Sequence, residues 1–355
     1  MRATGGFHGR KIQKTGGSTY IISLPKNWVT SRGLHAGDVL TFAPHPDGSL
    51  QIQPEEGSSM EVLRRVVAIS NDMDEEHLLR RLIAEYIAGS TLLEIRTPTR
   101  MSARTRDIVR GFAQRVIGPE IIEETAESVI LQDVVGPNPL PLPSVIRRMH
   151  QMARAMQSDA MAAFHSADAS IAKDVIERDR EVDRLHWFME KQVNSALRDA
   201  RVLTSLSVTL PDCSTYLLAS RLMERIADHA VRIAGTIPLF QKERPPAAMV
   251  GELERMSEAA AKALTEALES LEHRDIERAN AVIDAAHRLV RERAHLLQEV
   301  STKRGRMAVG LAYVLESLER SALYAGDLAE IAINHAVETP TATVERSVGA
   351  PVPKA

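Results

Sequence analysis

The sequence predicts a multidomain protein in three unlike parts: a small β module, an α/β middle domain of order β-α-β-α-β-β, and an all-α C-terminal half of two tandem three-helix bundles. Three observations predict it. Residues 10–54 set strand-forming runs between glycines and a proline stop, residues 60–135 alternate short apolar runs with amphipathic helical periods, and from 144 onward apolar residues recur at helical spacing.

Within the first part, residues 17–24 read as a strand (Ser18, Thr19, Tyr20, Ile21, Ile22), with a helical turn starting near Pro25 and stopped by Gly33. Gly37-Asp38 reads as a tight turn, Val39–Phe42 as a strand, Pro46-Asp47-Gly48 as a hairpin turn and Leu50–Gln53 as its return. Residues 1–56 are therefore one module. In the middle domain, 60–135, strands are expected at Val62–Ser70, Thr91–Arg96, Ile121–Glu124 and Ser128–Asp133, with helices near 74–88 and 102–117. Gly89 and Gly118-Pro119 are read as helix stops, not as a phosphate-cradling loop. Residues 136–143 hold four prolines and are expected to form an extended linker.

The helical half divides at Arg244-Pro245-Pro246 into repeats at 144–240 and 249–337. Apolar stripes run through 145, 149, 152, 156, 160 and 164, through 175, 182, 185, 189, 193 and 196, and through 218, 222, 226, 230, 233 and 237. Three further helices are expected near 251–271, 275–300 and 305–337. Aligning Glu224-Arg225 with Glu319-Arg320 keeps Ala230 in step with Ala325, which suggests an internal duplication. The tail, 338–355, is polar, contains proline and is expected to be disordered.

Composition bounds the function. A chain of 355 residues has room for two or three domains. Its net charge is −3, yet the first 54 residues hold six Lys or Arg and two acids, so the small module alone carries +4. A single cysteine, Cys213, excludes an intramolecular disulfide framework and a Cys-rich zinc site, and fits a reducing compartment. No stretch approaches the ~18 apolar residues of a membrane span, and no signal-peptide core opens the chain. A cytoplasmic protein without membrane insertion is expected.

The acidic residues form one constellation: Glu177, Asp179, Glu181 and Asp183 on one helix, and Glu224, Asp228 and His229 on the next. Asp179/Asp183 and Glu224/Asp228 are four apart, so each pair projects from one side of its helix about 6 Å apart. Like charges so placed repel, and a bound cation relieves that; carboxylates suit Mg²⁺, Mn²⁺ or iron better than a structural zinc. The alternative is a solvated acidic face, since Glu224 and Asp228 lie opposite the 222/226/230/233 stripe. His273, His287, His295 and His335 show no ligand spacing and read as surface or interhelical residues, and Met149, Met152, Met156 and Met161 read as core. Nothing resembles a Ser-His-Asp or Cys-His arrangement, so an enzyme, a metal-dependent hydrolase included, is the weaker reading.

In the small module Arg10, Lys11 and Lys14 cluster before the first strand, and Lys26 and Arg32 flank the short helix. A two-fold dimer would double this cluster and span neighbouring phosphates of duplex DNA. Gln13, Asn27 and Ser31 are candidates to meet base edges. The alternative is a basic surface on a module that only dimerises.

Residues 10–54, with Leu24-Pro25-Lys26 and Gly33-Leu34 followed by Gly37-Asp38, resemble the swapped-hairpin DNA-binding domain of the SpoVT-AbrB class. Residues 144–337 resemble a tandem PhoU domain, the signature being Glu224-Arg225-Ile226-Ala227-Asp228-His229. The whole order is similar to archaeal-type phosphate uptake regulators. That resemblance implies a homodimeric, DNA-binding transcriptional regulator of phosphate transport and homeostasis, with Arg10, Lys11, Lys14, Lys26 and Arg32 on DNA. It also implies a divalent or trivalent metal (Fe, Mn, Mg or Zn) on Asp179, Asp183, Glu224 and Asp228 in the first repeat. In the second repeat Asp284 is followed by Arg288 and Glu319 by Leu323, so only the first repeat keeps the pattern. The alternative is a protein-interaction adaptor acting on phosphate transporter components or a signalling kinase, with a head that only dimerises.

Overall fold

The computed structural model describes residues 9–44, 48–54, 63–135 and 140–338. The chain forms two compact units, residues 1–62 and 63–355.

In the first unit β1 (Gln13–Thr15) and β2 (Thr19–Ile21) form an antiparallel pair, so the single strand expected over 17–24 is instead the second arm of a hairpin. Gly16-Gly17 are the turn, not part of a strand: Gly16 has φ +62°, a left-handed conformation that glycine adopts without steric cost. Pro25 caps α1 (Lys26–Ser31), Gly33 (φ +63°) ends its chain path, and β3 (Leu40–Pro44) pairs antiparallel with β4 (Leu50–Pro54). Of the expected turn between them, Pro46 and Asp47 lie outside the described residues. No described residue of this unit is buried. Ile12, Tyr20, Val39, Phe42 and Leu50 are all more than half exposed. Leu24, Trp28, Val29, Leu34, Leu40 and Ile52 are no more than partly buried, so this unit alone gains little from the hydrophobic effect and has no fully buried core among its described residues.

The second unit begins with the expected order: β5 (Arg64–Ala68), α2 (Glu75–Ile87), β6 (Leu92–Arg96), α3 (Ala103–Arg115), β7 (Pro119–Glu124) and β8 (Ser128–Asp133). They make a four-stranded sheet of order β5-β6-β8-β7, in which β5 and β6 are parallel and β8 is antiparallel to both neighbours. Asp74 caps α2 by accepting from the backbone N–H groups of Glu76 and His77, and Ser102 caps α3 by accepting from that of Thr105. Alternate strand residues Val67, Leu93, Ile95, Val129 and Leu131 bury against Leu78, Leu82, Tyr86, Val109 and Phe112 of the two helices.

Among the described residues seven α-helices follow: α4 (Leu142–Ser166), α5 (Ala169–Ala196), a short α6 (Ala200–Leu206), α7 (Leu210–Gly235), α8 (Ala247–His273), α9 (Ile276–Ser301) and α10 (Gly305–Glu338). The expected linker 136–143 is shorter than its prolines suggested. Leu142 and Pro143 already form the first turn of α4, where a proline loses no hydrogen bond, and 136–139 lie outside the described residues. Residues 339–355, the tail expected to be disordered, also lie outside them, and Glu338 ends α10.

The duplication is legible in the caps. Asp168 and Asp275 cap α5 and α9, and that shift of 107 residues matches buried Ala172 with Ala279, Val175 with Val282, Val182 with Leu289, Met189 with Leu296 and Val193 with Val300. A shift of 95 relates α7 to α10, matching Met223 with Leu318, Ala227 with Ala322, Ala230 with Ala325 and Ile233 with Leu328. All of these residues belong to one continuous core.

One expected stripe holds at Leu222, Ile226, Ala230, Ile233 and Ile237 but misses at Leu218 and is too narrow. On α7, Leu218 is 52% exposed, whereas Ala219, Met223, Ile226, Ala227, Ala230, Ile233 and Ala234 are buried. The helix packs against α4, α5 and α10, so close neighbours select alanines on a broad face, and counting only large apolar residues places its centre off line.

The α/β domain is fixed to α5. Lys191 forms a buried ion pair with Asp133 of β8 and sits 4.7 Å from the Tyr86 ring centre; Asn194 Nδ2 donates to the Ile87 carbonyl at 3.0 Å, and Trp187 packs on the α/β core.

Candidate functional site

The acidic constellation assembles between α5 and α7, but only in part. Glu177 pairs with Lys173 at 3.6 Å and Glu181 with Arg184 at 2.9 Å, so both belong to the charged face of their own helix. Asp179, Asp183, Glu224 and Asp228 face one another. Burial and the mutual repulsion of these four raise the pKa of Asp179 to about 6 and of Asp183 to about 7. Glu224 is raised by burial and by Asp228 and Asp179, and Asp228 by burial against the opposing pull of Arg225, Arg221 and Arg232.

The broad buried face of α7 explains this. With Met223 and Ala227 inside, Glu224 lies on the flank that faces α5 and not opposite the core, as the stripe had placed it. Asp179 Oδ1 is buried without a hydrogen-bond partner among the described residues. A buried carboxylate oxygen with nothing to accept from, beside three more carboxyls, is an oxygen-only donor set of the kind that hard cations take. The residue types, though not their spacing, suit a cation of the Mg²⁺, Mn²⁺ or iron class. They do not bring three ligand atoms together within 4.8 Å; among the described residues only Glu252, His295 and Glu299 do so. That trio was missed because it joins α8 to a His-x-x-x-Glu step on α9, and the sequence places the partner 43 positions away from His295.

The second repeat carries no counterpart. Under the 107-residue shift, Asp179 and Asp183 become Ala286 and Val290, so Asp284 stands where Glu177 stands. Asp228 becomes Leu323, and Glu319, the match of Glu224, is paired with Arg293 at 3.0 Å. The arginine that neutralises this repeat is thus Arg293 and not Arg288, which is exposed. His335 is interhelical, 3.7 Å from Asp212. The methionines 149, 156 and 161 are buried in the core, as expected.

In the first unit Arg10 and Lys11 precede β1, Lys14 lies within it, Lys26 opens α1 and Arg32 closes it. All five are exposed, and none forms an ion pair among the described residues. Ser31 donates its hydroxyl proton to the Trp28 carbonyl at 2.9 Å, which occupies it within its own helix.

Fold and site together define a class: a tandem helical-repeat protein with carboxylates gathered in one repeat, joined to an α/β domain and preceded by a coreless basic β module. Family models agree. The PhoU domain matches residues 146–237 and 253–332, and a model described as antidote-toxin recognition MazE, bacterial antitoxin, matches 13–59. The chain belongs to the PhoU-domain proteins and carries a MazE-like N-terminal module. Two solved structures are similar to it. The crystal structure of PhoU from Pseudomonas aeruginosa shares 23% identity at a TM-score of 0.48, covering 56% of this chain and 96% of that one. The phosphate transport system regulatory protein PhoU from Streptococcus pneumoniae shares 17% at 0.47, covering 56% and 94%. A search of curated proteins gave no match. No described helix is long and apolar enough to cross a membrane.

Proposed function

We propose that this chain is a homodimeric regulator of phosphate uptake that binds DNA through its N-terminal module and a metal ion through its first helical repeat. It is not an enzyme in this reading. The observation that carries the proposal is the pairing, in one PhoU-domain chain, of four mutually strained carboxylates with a basic module that lacks a core of its own. A second copy of that module would cover Tyr20, Phe42 and Leu50 and double the five cations. Asp179, Asp183, Glu224 and Asp228 would hold the metal, which supplies a positive charge that relieves their repulsion.

The test has two arms. Binding of the full chain to the promoter of a phosphate-transport gene, measured against salt, should weaken in Lys11→Glu and Lys14→Glu; unchanged affinity and salt slope would sink the DNA role. Bound metal should fall in Asp183→Ala and Asp228→Ala but not in Asp284→Ala, and equal loss in all three would contradict the assignment to the first repeat. Co-purification with transporter components or a kinase, together with no DNA retention at low salt, would turn the reading to the adaptor.

A further inference from the structure

Where α7 meets α10, the two repeats touch through equivalent residues. The 95-residue shift relates Arg225 to Arg320 and His229 to Tyr324. All four converge. Arg225 Nη1 lies 3.4 Å and Arg320 Nη2 3.0 Å from the hydroxyl oxygen of Tyr324. Their guanidinium carbons stand 5.8 and 4.9 Å from its ring centre, and the His229 ring is 5.8 Å from the same ring.

Three features set this group apart from ordinary helix packing. Both arginines are exposed, and neither comes within ion-pair distance of a carboxylate among the described residues. Glu316, on the same helix as Arg320, is instead paired with Arg232 at 3.6 Å. Two like charges are therefore held on one neutral oxygen, which cannot neutralise either. His229 Nδ1 is buried and has no hydrogen-bond partner among the described residues. With both arginines donating to it, the Tyr324 hydroxyl keeps its own proton to donate elsewhere.

We propose that Arg225, Arg320 and the Tyr324 hydroxyl form a seat for a phosphate-class oxyanion at the junction of the two repeats, with His229 behind the tyrosine as a positioning residue. Two planar forks and one hydroxyl, coming from two helices, offer donors in several directions, which suits a tetrahedral oxyanion better than a planar carboxylate. Glu224 and Asp228 act on Arg225, and Asp327 on Arg320, through their fields, which lowers the net attraction of the seat for an anion. The seat rests on the regulator reading only for its purpose, since it would supply the phosphate-responsive element which that reading needs. It joins the two unequal repeats where equivalent arginines of α7 and α10 meet.

The experiment is a calorimetric titration of the full chain with inorganic phosphate, at constant ionic strength and with chelator present so that no cation at the carboxylates bridges the anion. Sulfate and ADP are parallel arms. Saturable phosphate binding is expected, weakened at least tenfold in Arg320→Gln and in Arg225→Gln, less in Arg320→Lys, and several-fold in Tyr324→Phe. A tighter ADP isotherm lost in the same variants would keep the seat and assign it to a nucleotide phosphate. No saturable binding of any of the three anions, or binding indifferent to both Gln variants, would overturn the proposal. Thermal unfolding of each variant separates a lost seat from a lost fold. DNA retention and metal content on the same preparations separate failure of the seat from failure of the regulator reading.

Discussion

Replacing Asp183 with asparagine should stabilise the metal-free protein and abolish its response to metal. The carboxyl is held at about 7 instead of the ordinary 3.8, because burial and the Asp179, Glu224 and Asp228 charges disfavour its ionised form. At ~1.36 kcal/mol per pKa unit that difference amounts to roughly 4 kcal/mol as an upper bound. The group is only part-buried, and solvent screening reduces the figure to about 1–2 kcal/mol. The sign follows from proton counting. Between about pH 4 and 7 the folded state binds more protons at this site than the unfolded chain does, so stability falls as pH rises through that window and the loss is complete above it. Asp183→Asn removes the loss. In chelator at pH 7.5 its Tm, followed by helical circular dichroism, should exceed that of the wild type by about 2–3 °C. The gap should close toward pH 4. Mn²⁺ should then raise the wild-type Tm and leave the variant where it was. A variant less stable than the wild type in chelator, or a gap that does not change with pH, would refute the claim that these carboxylates are crowded against one another.

Other outcomes follow from single contacts. Lys191→Ala strands the buried Asp133 carboxylate and should cost about 3–5 kcal/mol in chemical denaturation, whereas Lys191→Met combined with Asp133→Leu should cost less, because no charge is left unpaired. Gly310 packs directly against the Phe240 ring, where an added methyl overlaps the ring; Gly310→Ala should lower stability by about 1–3 kcal/mol even though alanine is the better helix former, and a stabilised variant would show that α10 shifts freely. Each of Lys11→Glu and Lys14→Glu should lower the salt slope of DNA binding by roughly 2 in a dimer, at ~0.9 per phosphate contact, measured by fluorescence anisotropy across salt.

Much of the fold was legible because its signals are local. In the α/β domain each strand and helix lies within a few residues of its expectation, since Gly89 and Gly118 adopt left-handed conformations (φ +80° and +109°) at the helix ends and alternate apolar residues mark the strands. In the β module the expected strand began at Gly17 and its partner Gln13–Thr15 was missed, because a short exposed hairpin has no buried face to impose a period. The α6 helix was missed, being seven residues long between two much longer ones. For the site, the pairs Asp179/Asp183 and Glu224/Asp228 were visible as four-residue steps, but not which side of α7 they occupy.

The sequence by itself determined the parts: where helices begin and end, that one half is duplicated, that the N-terminal segment is the basic one, and which carboxylates recur at helical spacing. Those properties depend on neighbours within a turn or two, where backbone sterics, capping and the 3.6-residue period act. Only the tertiary structure decided what faces what. It turned α7 so that Glu224 meets α5, put Arg293 on Glu319, set Lys191 beneath the α/β domain, and brought Arg225 and Arg320 to one tyrosine. The physical reason is that a helix buried on three sides is oriented by the summed close packing of small residues from several helices, and that sum is written in no single stretch of the chain.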